Sequence, residues 1–210
     1  QLREKLGLNS VMIQYPIGLE DKHVGVVDLV KMVAYYNEGE NGEVIREAEI
    51  PAELLEACEE HREALLDAAS MFHDGLMEEM MEEDVKEATL VEAIRKAVIA
   101  RELCPVFCGS AFKNKGVQPL LDGVIDFLPS PHDVPAIQGI DAKTEAPIER
   151  HADDSEPLSM LAFKIANDPH MDSLTFCRIY SGHVEQGAML ENTVKEKRER
   201  VGRMFQMHAN

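Results

Sequence analysis

The sequence predicts an α+β fold in two parts. Three observations carry this: β-type patterning over residues 10–50, helical periodicity over 51–128, and a return to β alternation after a Pro- and Asp-rich stretch at 129–156. With 210 residues and an apolar fraction of 45%, the chain can build one large domain or two small ones, each with a core.

Residues 1–7 read as the end of a helix, with Leu2 and Leu6 on one face and Gly7 as its stop. Val11, Ile13 and Tyr15 alternate until Pro16-Ile17-Gly18 breaks the run. Val24 to Val33 is a β-branched stretch continued by Tyr35-Tyr36, and Asn37 to Gly42 is a turn cluster. Val44 to Ile50 adds a short strand, and an antiparallel sheet of hairpins is the simplest arrangement. Pro51 suits a first helical turn because its missing N–H is not needed there. Leu54, Leu55, Cys58, Leu65, Leu66 and Ala69 then share a helical face. A second helix is expected over Asp74 to Met81. A third is expected to open at Thr89, with Thr89 and Glu92 as a capping box and Leu90, Ile94, Ala97 and Val98 as its apolar stripe. Cys104 to Cys108 has β character, and its two cysteines fall on one strand face, as core rather than redox groups. Val117 to Leu128 reads as a helix ended by Pro129-Ser130-Pro131. Residues 129–156 read as a linker. Beyond it, Leu161, Phe163 and Ile165 alternate in one strand, Leu174 to Tyr180 form a second, Val184 starts a third, and Val201, Arg203, Phe205 and Met207 alternate in the last.

Composition narrows the function. The formal net charge of −18 argues against wrapping nucleic acid with the whole surface, although it leaves room for a local basic patch. Cys58, Cys104, Cys108 and Cys177 form no CxxC pair, so neither a zinc site nor a disulfide framework is expected, and a reducing, cytoplasmic setting fits best. The histidines lack ligand spacing, so no metal site is expected. No apolar run approaches a membrane span, no signal peptide is recognisable, and no membrane partner is expected. The chain begins at Gln1 and not at Met, which leads us to expect an internal piece of a longer protein.

The sharpest local signal is Cys108-Gly109-Ser110-Ala111-Phe112-Lys113-Asn114-Lys115-Gly116, between a buried-looking strand and a helix. α/β proteins place ligand-binding turns at such strand ends. A loop that reads guanine needs a small residue, so that the base can approach, and a free backbone N–H for O6, an acceptor where adenine has a donor. Ser110-Ala111 meets both needs. Residues 109–118, followed by Leu120-Leu121-Asp122 and Leu128-Pro129-Ser130-Pro131, resemble the last guanine-recognition motif of the bacterial elongation factor G family and the helix after it. Pro157 to Ile165 and Leu174 to Gly187, with Arg178-Ile179-Tyr180-Ser181-Gly182-His183-Val184-Glu185-Gln186-Gly187, resemble the start of the barrel domain of translational GTPases. Gly202-Arg203-Met204 and the final Gln206-Met207-His208-Ala209-Asn210 are similar to the same family.

The resemblance implies a map. Residues 1–7 would end a G-domain helix, 8–103 would form the subdomain inserted in the G domain, and 104–128 would be the last strand and helix of that P-loop GTPase α/β domain. A linker at 129–156 and the first half of the domain II β-barrel at 157–210 would follow. The fold class becomes a helix-rich antiparallel sheet subdomain with a remnant of a P-loop GTPase domain, then a truncated barrel. Ser110, Ala111 and Phe112 would bind guanine only in the intact protein, whose cofactors would be GTP or GDP with magnesium and whose activity would be ribosomal translocation of tRNA and mRNA. The fragment itself is expected to be non-catalytic and without cofactor. No Gly-Lys pair, no D-x-x-G stretch and no Asn-Lys-x-Asp motif occurs, and Val117 stands where that last motif needs Asp. Another translational GTPase, or an acidic protein-interaction module without nucleotide chemistry, are the alternatives.

Two charge patterns remain. Glu53, Glu56, Glu59, Glu60, Glu63 and Asp67 line one helix, and Glu78, Glu79, Glu82, Glu83 and Asp84 line another. They are a solvated face or a docking face, and the resemblance implies docking to the ribosomal stalk protein. Lys195, Lys197, Arg198, Arg200 and Arg203 form a basic cluster, which is either a solvated loop or, as the resemblance implies, a contact with small-subunit ribosomal RNA. Met71, Met77, Met80 and Met81 are core filling or an adaptable surface. A barrel cut before closure would leave open edges, so self-association through residues 157–210 is expected.

Overall fold

Short β-branched runs separated by tight turns build a four-stranded antiparallel sheet from β2 (Gln14–Ile17), β3 (Gly25–Asp28), β4 (Val33–Glu38) and β5 (Val44–Ala48), in that spatial order. The computed structural model describes residues 2–168 and 172–206. It is an α+β fold with small sheets, and the chain divides into two units, 1–129 and 130–210.

In the first unit, α1 (Leu2–Leu6) leads into β1 (Ser10–Met12), which pairs in parallel with β6 (Cys104–Val106). Three helices fill the chain between the sheets: α2 (Ala52–Ser70), α3 (Asp74–Met81) and α4 (Glu87–Ile99). A fifth, α5 (Val117–Phe127), follows β6. One core joins Val11, Ile13, Val27 and Leu29 from the sheet side with Leu65, Leu76, Leu90 and Ile94 from the helices. Each such fully buried aliphatic side chain contributes roughly 1.5–3 kcal/mol, so the helical periodicity of α2 and α4 is decided by this shared face. Leu55 is the exception in the expected stripe, since it stays 42% exposed.

Several elements differ from the sequence reading, each for a physical reason. The stretch Val24 to Val33 is broken at Leu29–Met32. Asp28 Oδ1 accepts from the amides of Val30 (2.8 Å) and Lys31 (3.0 Å), Met32 takes φ 56°, and the Arg62 guanidinium donates to the carbonyls of Leu29 and Val30. This turn has no Gly or Pro to announce it, and its Leu29 is fully buried. The expected capping box at Thr89 does not form. The helix begins at Glu87, and Thr89 Oγ1 donates to Glu79 Oε1 of α3 at 2.9 Å. A long-range partner thus displaces the local one. Cys108 lies beyond the end of β6, so the two cysteines do not share a strand face.

Among the described residues, the second unit contains three hairpins. β7 (Ile137–Ile140) pairs with β8 (Pro147–Arg150) inside the stretch read as a linker. Its turn is held by Asp141, whose Oδ1 accepts from the amides of Lys143 and Thr144 at 2.9 and 2.8 Å. β9 (Ser159–Asp168) pairs with β10 (Asp172–Ser181), and β11 (Met189–Asn192) with β12 (Lys197–Arg200). No ladder joins these pairs to one another among the described residues. Val184 is in no strand, because Ser181 and Gly182 are tied back to Pro157 and Asp153 and the third strand starts only at Met189. Val201, Arg203 and Phe205 lie after the end of β12 and form no strand, and Met207 to Asn210 lie outside the described residues.

Candidate functional site

The loop after β6 is closed by its own backbone. Ser110 N–H donates to Lys115 O at 2.8 Å and Lys115 N–H returns a bond to Ser110 O at 3.0 Å. Within that clasp, Asn114 N–H reaches Ala111 O at 3.1 Å, and Asn114 takes φ 49°, a left-handed value that Asn tolerates well. Gly116 is left-handed at φ 73° and sits directly before α5. A Cβ there would lie 2.6 Å from Cys108 O, so the closed loop requires glycine.

The base of the loop is pinned from below and from both sides. Phe107 packs against Phe127 at 6.3 Å between ring centroids and fills the space that a side chain at Gly123 would need. Cys108 N–H donates to Oε1 of the buried Gln14 at 3.3 Å. Gly116 N–H donates to Asn37 Oδ1 at 3.2 Å, while Asn37 Nδ2 holds Gly42 O at 3.3 Å. Gly42, at the β4–β5 turn, lies so close that a Cβ would be 2.8 Å from the carbonyl oxygens of Lys113 and Asn114. Lys115 Nζ donates to His23 O at 2.9 Å, and Lys113 Nζ lies 3.4 Å from Asp21 Oδ1. The loops of the four-stranded sheet therefore clamp the turn in place.

The clamp leaves its tip open. The amides of Ala111, Phe112 and Lys113 donate to no acceptor among the described residues, and the Phe112 side chain is fully exposed. Such a tip can offer N–H donors to a carbonyl-type acceptor on a planar ligand, with the Phe112 ring beside it. No family model matches the chain.

A solved structure does. A crystal structure of a protein from Thermus thermophilus is similar over 95% of this chain, with 28% identity and a TM-score of 0.70, and the chain spans 27% of that protein's length.

The three residues singled out from the sequence thus have different positions. Ala111 and Phe112 stand together at the open tip. Ser110 does not supply a free donor, because its amide is committed to Lys115 O, and it serves as one end of the clasp. Sequence reasoning missed Gln14, Asn37 and Gly42, which hold the loop. A polar Gln inside an alternating strand was the one available signal, since a buried polar side chain needs a partner. Burial pushes the Cys108 thiol up to about 11, so it is neutral at physiological pH and is no nucleophile. Beside the site, Gln118 Oε1 in the first turn of α5 is buried without a hydrogen-bond partner in the structure.

The two acidic rows separate as well. The α2 carboxylates are all exposed, whereas Glu79 is turned inward, accepting from Lys86 N–H at 2.9 Å and from Thr89. That Lys86 bond is the main reason its carboxyl is held below the usual range. Met71, Met77 and Met81 are exposed, and Met80 packs against the core. No helix among the described residues is long and apolar enough to cross a membrane, and no described group of three His, Cys, Asp or Glu residues could hold a metal ion.

Proposed function

We propose that this chain is an internal piece of a ribosomal translocation GTPase of the elongation factor G type, and that its 110–115 turn reads the guanine base of GTP or GDP. The observation that carries the reading is the clamped turn at the carboxyl end of a parallel strand, with unbonded amides at Ala111 and Phe112. Guanine O6 accepts a hydrogen bond where adenine N6 donates, so these amides favour guanine and disfavour adenine. Ser110 closes the turn, Ala111 keeps the approach free of side-chain bulk, and Phe112 offers an exposed ring.

On this reading residues 8–103 are the inserted subdomain, 104–128 complete a P-loop GTPase α/β domain, and the hairpins after residue 157 belong to a barrel domain. The parallel β1–β6 pair supports it, because parallel strands normally sit inside larger sheets covered on both faces. So do the exposed Leu121 and Ile125 on α5, a face suited to packing against more of the same domain. GTP or GDP with magnesium would be the cofactors of the whole protein. The residues present suit the guanine edge alone. The sequence has no phosphate loop to position the phosphates and metal, so the fragment by itself is non-catalytic. The partners would be the stalk protein, facing the α2 carboxylates, and small-subunit ribosomal RNA.

Calorimetry with GDP tests the reading. The 210-residue chain alone should show no micromolar affinity for GTP or GDP. In the longer protein that carries a phosphate loop, Ala111→Leu should weaken GDP binding by at least about tenfold, or roughly 1.4 kcal/mol. Unchanged GDP affinity in that variant would remove the assignment of the turn.

A further inference from the structure

The turn between β4 and β5 reads Gly39-Glu40-Asn41-Gly42-Glu43, and it holds the one Asn-Gly pair in the chain. Asparagine is chemically labile, and an Asn amide followed by Gly has an internal reaction open to it. The next backbone nitrogen can reach the side-chain Cγ, and glycine puts no side chain in the way and leaves the backbone free to turn. Every other asparagine with a following residue is followed by one that carries a side chain. Asn41 is exposed, and its side chain has no hydrogen-bond partner among the described residues. Only its backbone N–H is bound, to Glu43 Oε2 at 2.9 Å. The Gly42 N–H donates to no acceptor among the described residues. Asn37, by contrast, has both ends of its amide engaged, with Nδ2 donating to Gly42 O at 3.3 Å and Oδ1 accepting from Gly116 N–H at 3.2 Å.

Gly42 is also where this turn touches the candidate site. It is buried and left-handed at φ 66°, and a Cβ on it would stand 2.8 Å from the carbonyl oxygens of both Lys113 and Asn114. The position has room for neither a side chain nor a displaced main chain. Through Asn37, the Gly42 carbonyl is linked to the Gly116 amide at the foot of the 110–115 turn. A change of backbone length at residue 41 therefore reaches the clamp directly.

We propose that Asn41–Gly42 is a self-modification site whose spontaneous deamidation loosens the clamp on the 110–115 turn. Hydroxide takes the Gly42 amide proton, the nitrogen attacks Asn41 Cγ, and the side-chain nitrogen leaves as ammonia with a proton from water. A second water opens the five-membered imide at one of its two carbonyls. One opening gives aspartate in the normal linkage. The other gives isoaspartate, whose main chain runs through the former side chain and is one methylene longer. Ring closure has to turn the packed Gly42 peptide, so it proceeds when the clamp opens, and the lengthened chain then cannot reseat Gly42 under Lys113 and Asn114. Any effect on nucleotide binding rests on the guanine reading, whereas the modification and the loosening do not.

The full chain is held for days at mildly alkaline pH and sampled by peptide mass spectrometry, with an isoaspartyl methyltransferase assay for the lengthened linkage. Isoaspartate is expected at position 41 and not at Asn37. It can form only through the imide, so aspartate alone would mean plain hydrolysis and would overturn the proposal. Hydrogen exchange of the 110–116 amides in the aged chain should be at least about tenfold faster, the share of roughly one lost hydrogen bond. Asn41→Ala aged in parallel should form no isoaspartate there and keep the slow exchange. Asn41→Asp adds the charge without the extra methylene and should exchange like the fresh parent. Asn37→Ala releases Gly42 O and should form isoaspartate faster. The proposal fails if position 41 forms none, if Asn37 converts as fast, or if exchange in the aged chain is unchanged. It fails equally if Asn41→Ala loosens on ageing, if fresh Asn41→Asp exchanges as fast as the aged parent, or if Asn37→Ala converts no faster. None of these readouts uses a nucleotide, so they fail separately from the guanine reading.

Discussion

Asp28 shows how one carboxylate can hold a turn and still oppose folding. Its Oδ1 organises the β3–β4 turn through the Val30 and Lys31 amides, yet burial raises its pKa above 3.8, outweighing those amides and the Lys31 charge. A raised carboxyl pKa means that the ionised form disfavours the folded state. The penalty is present at neutral pH and is relieved as pH falls through the folded-state pKa, fully so below the unfolded one. Asp28→Asn keeps the acceptor and removes the charge. It should melt at or above the parent at pH 7, with the difference shrinking towards pH 4. Asp28→Ala loses both bonds and should be destabilised by about 1–3 kcal/mol. Thermal melts of both variants at the two pH values check this, and a lower Asn melting point at pH 7 would mean that charge, not geometry, holds the turn.

Helix α5 poses a conflict between propensity and packing at Gly123. Alanine is better than glycine in a helix interior by up to about 1 kcal/mol. Here a Cβ would come within 2.3 Å of Phe107 Cζ, the ring that supports the base of the candidate site. Overpacking of that kind costs about 1–3 kcal/mol, so packing should win. Gly123→Ala is expected to lower stability in urea unfolding, and Phe107→Leu in the same chain should recover part of the loss. Additive effects in that double-mutant cycle would show that the two positions do not meet. The α3–α4 junction follows the same rule. Glu79 takes the Lys86 amide and the Thr89 hydroxyl across the junction, so a tertiary contact replaces the local cap.

For the whole molecule, the two units differ in how they are held. Every large apolar side chain of the common core belongs to the first unit, from Val11 to Phe127. The second unit is hairpins with Leu161, Phe163 and Ile165 exposed at 53%, 60% and 71%. We propose that such exposed strands are where the self-association expected from the sequence would occur. The net charge of −18 gives the molecule a long-range attraction for basic partners. The proposed docking of the α2 face on the ribosomal stalk protein should therefore weaken as salt rises, because the screening length is roughly 8 Å at physiological ionic strength. Charge reversal at Glu56, Glu60 and Glu63, all exposed, should abolish that salt dependence and most of the binding in a pull-down or calorimetric assay. Binding that survives the reversal unchanged would leave the acidic row as a solvated surface.

Periodicity marks α2, whose stripe of Cys58, Leu65 and Ala69 is buried, whereas a Met-rich run marks α3 and the Pro129-Ser130-Pro131 stop marks the end of α5. The β-branched runs specified that residues 10–50 form strands, and the Gly-Ser-Ala-Phe-Lys-Asn-Lys-Gly stretch marked the candidate turn. What the local pattern did not contain was anything set by partners distant in sequence. The parallel pairing of β1 with β6 joins residues more than ninety apart, and the buried turn at Leu29–Met32 depends on Arg62 reaching it from α2. The same holds at the candidate site. The amino acids of the loop were legible, but which amides stay open was decided by the Ser110–Lys115 clasp and by Gln14, Asn37 and Gly42 of the four-stranded sheet and its β4–β5 turn. Hydrogen-bond satisfaction is a property of the folded neighbourhood, so only the tertiary structure could assign the free donors to Ala111 and Phe112 rather than to Ser110.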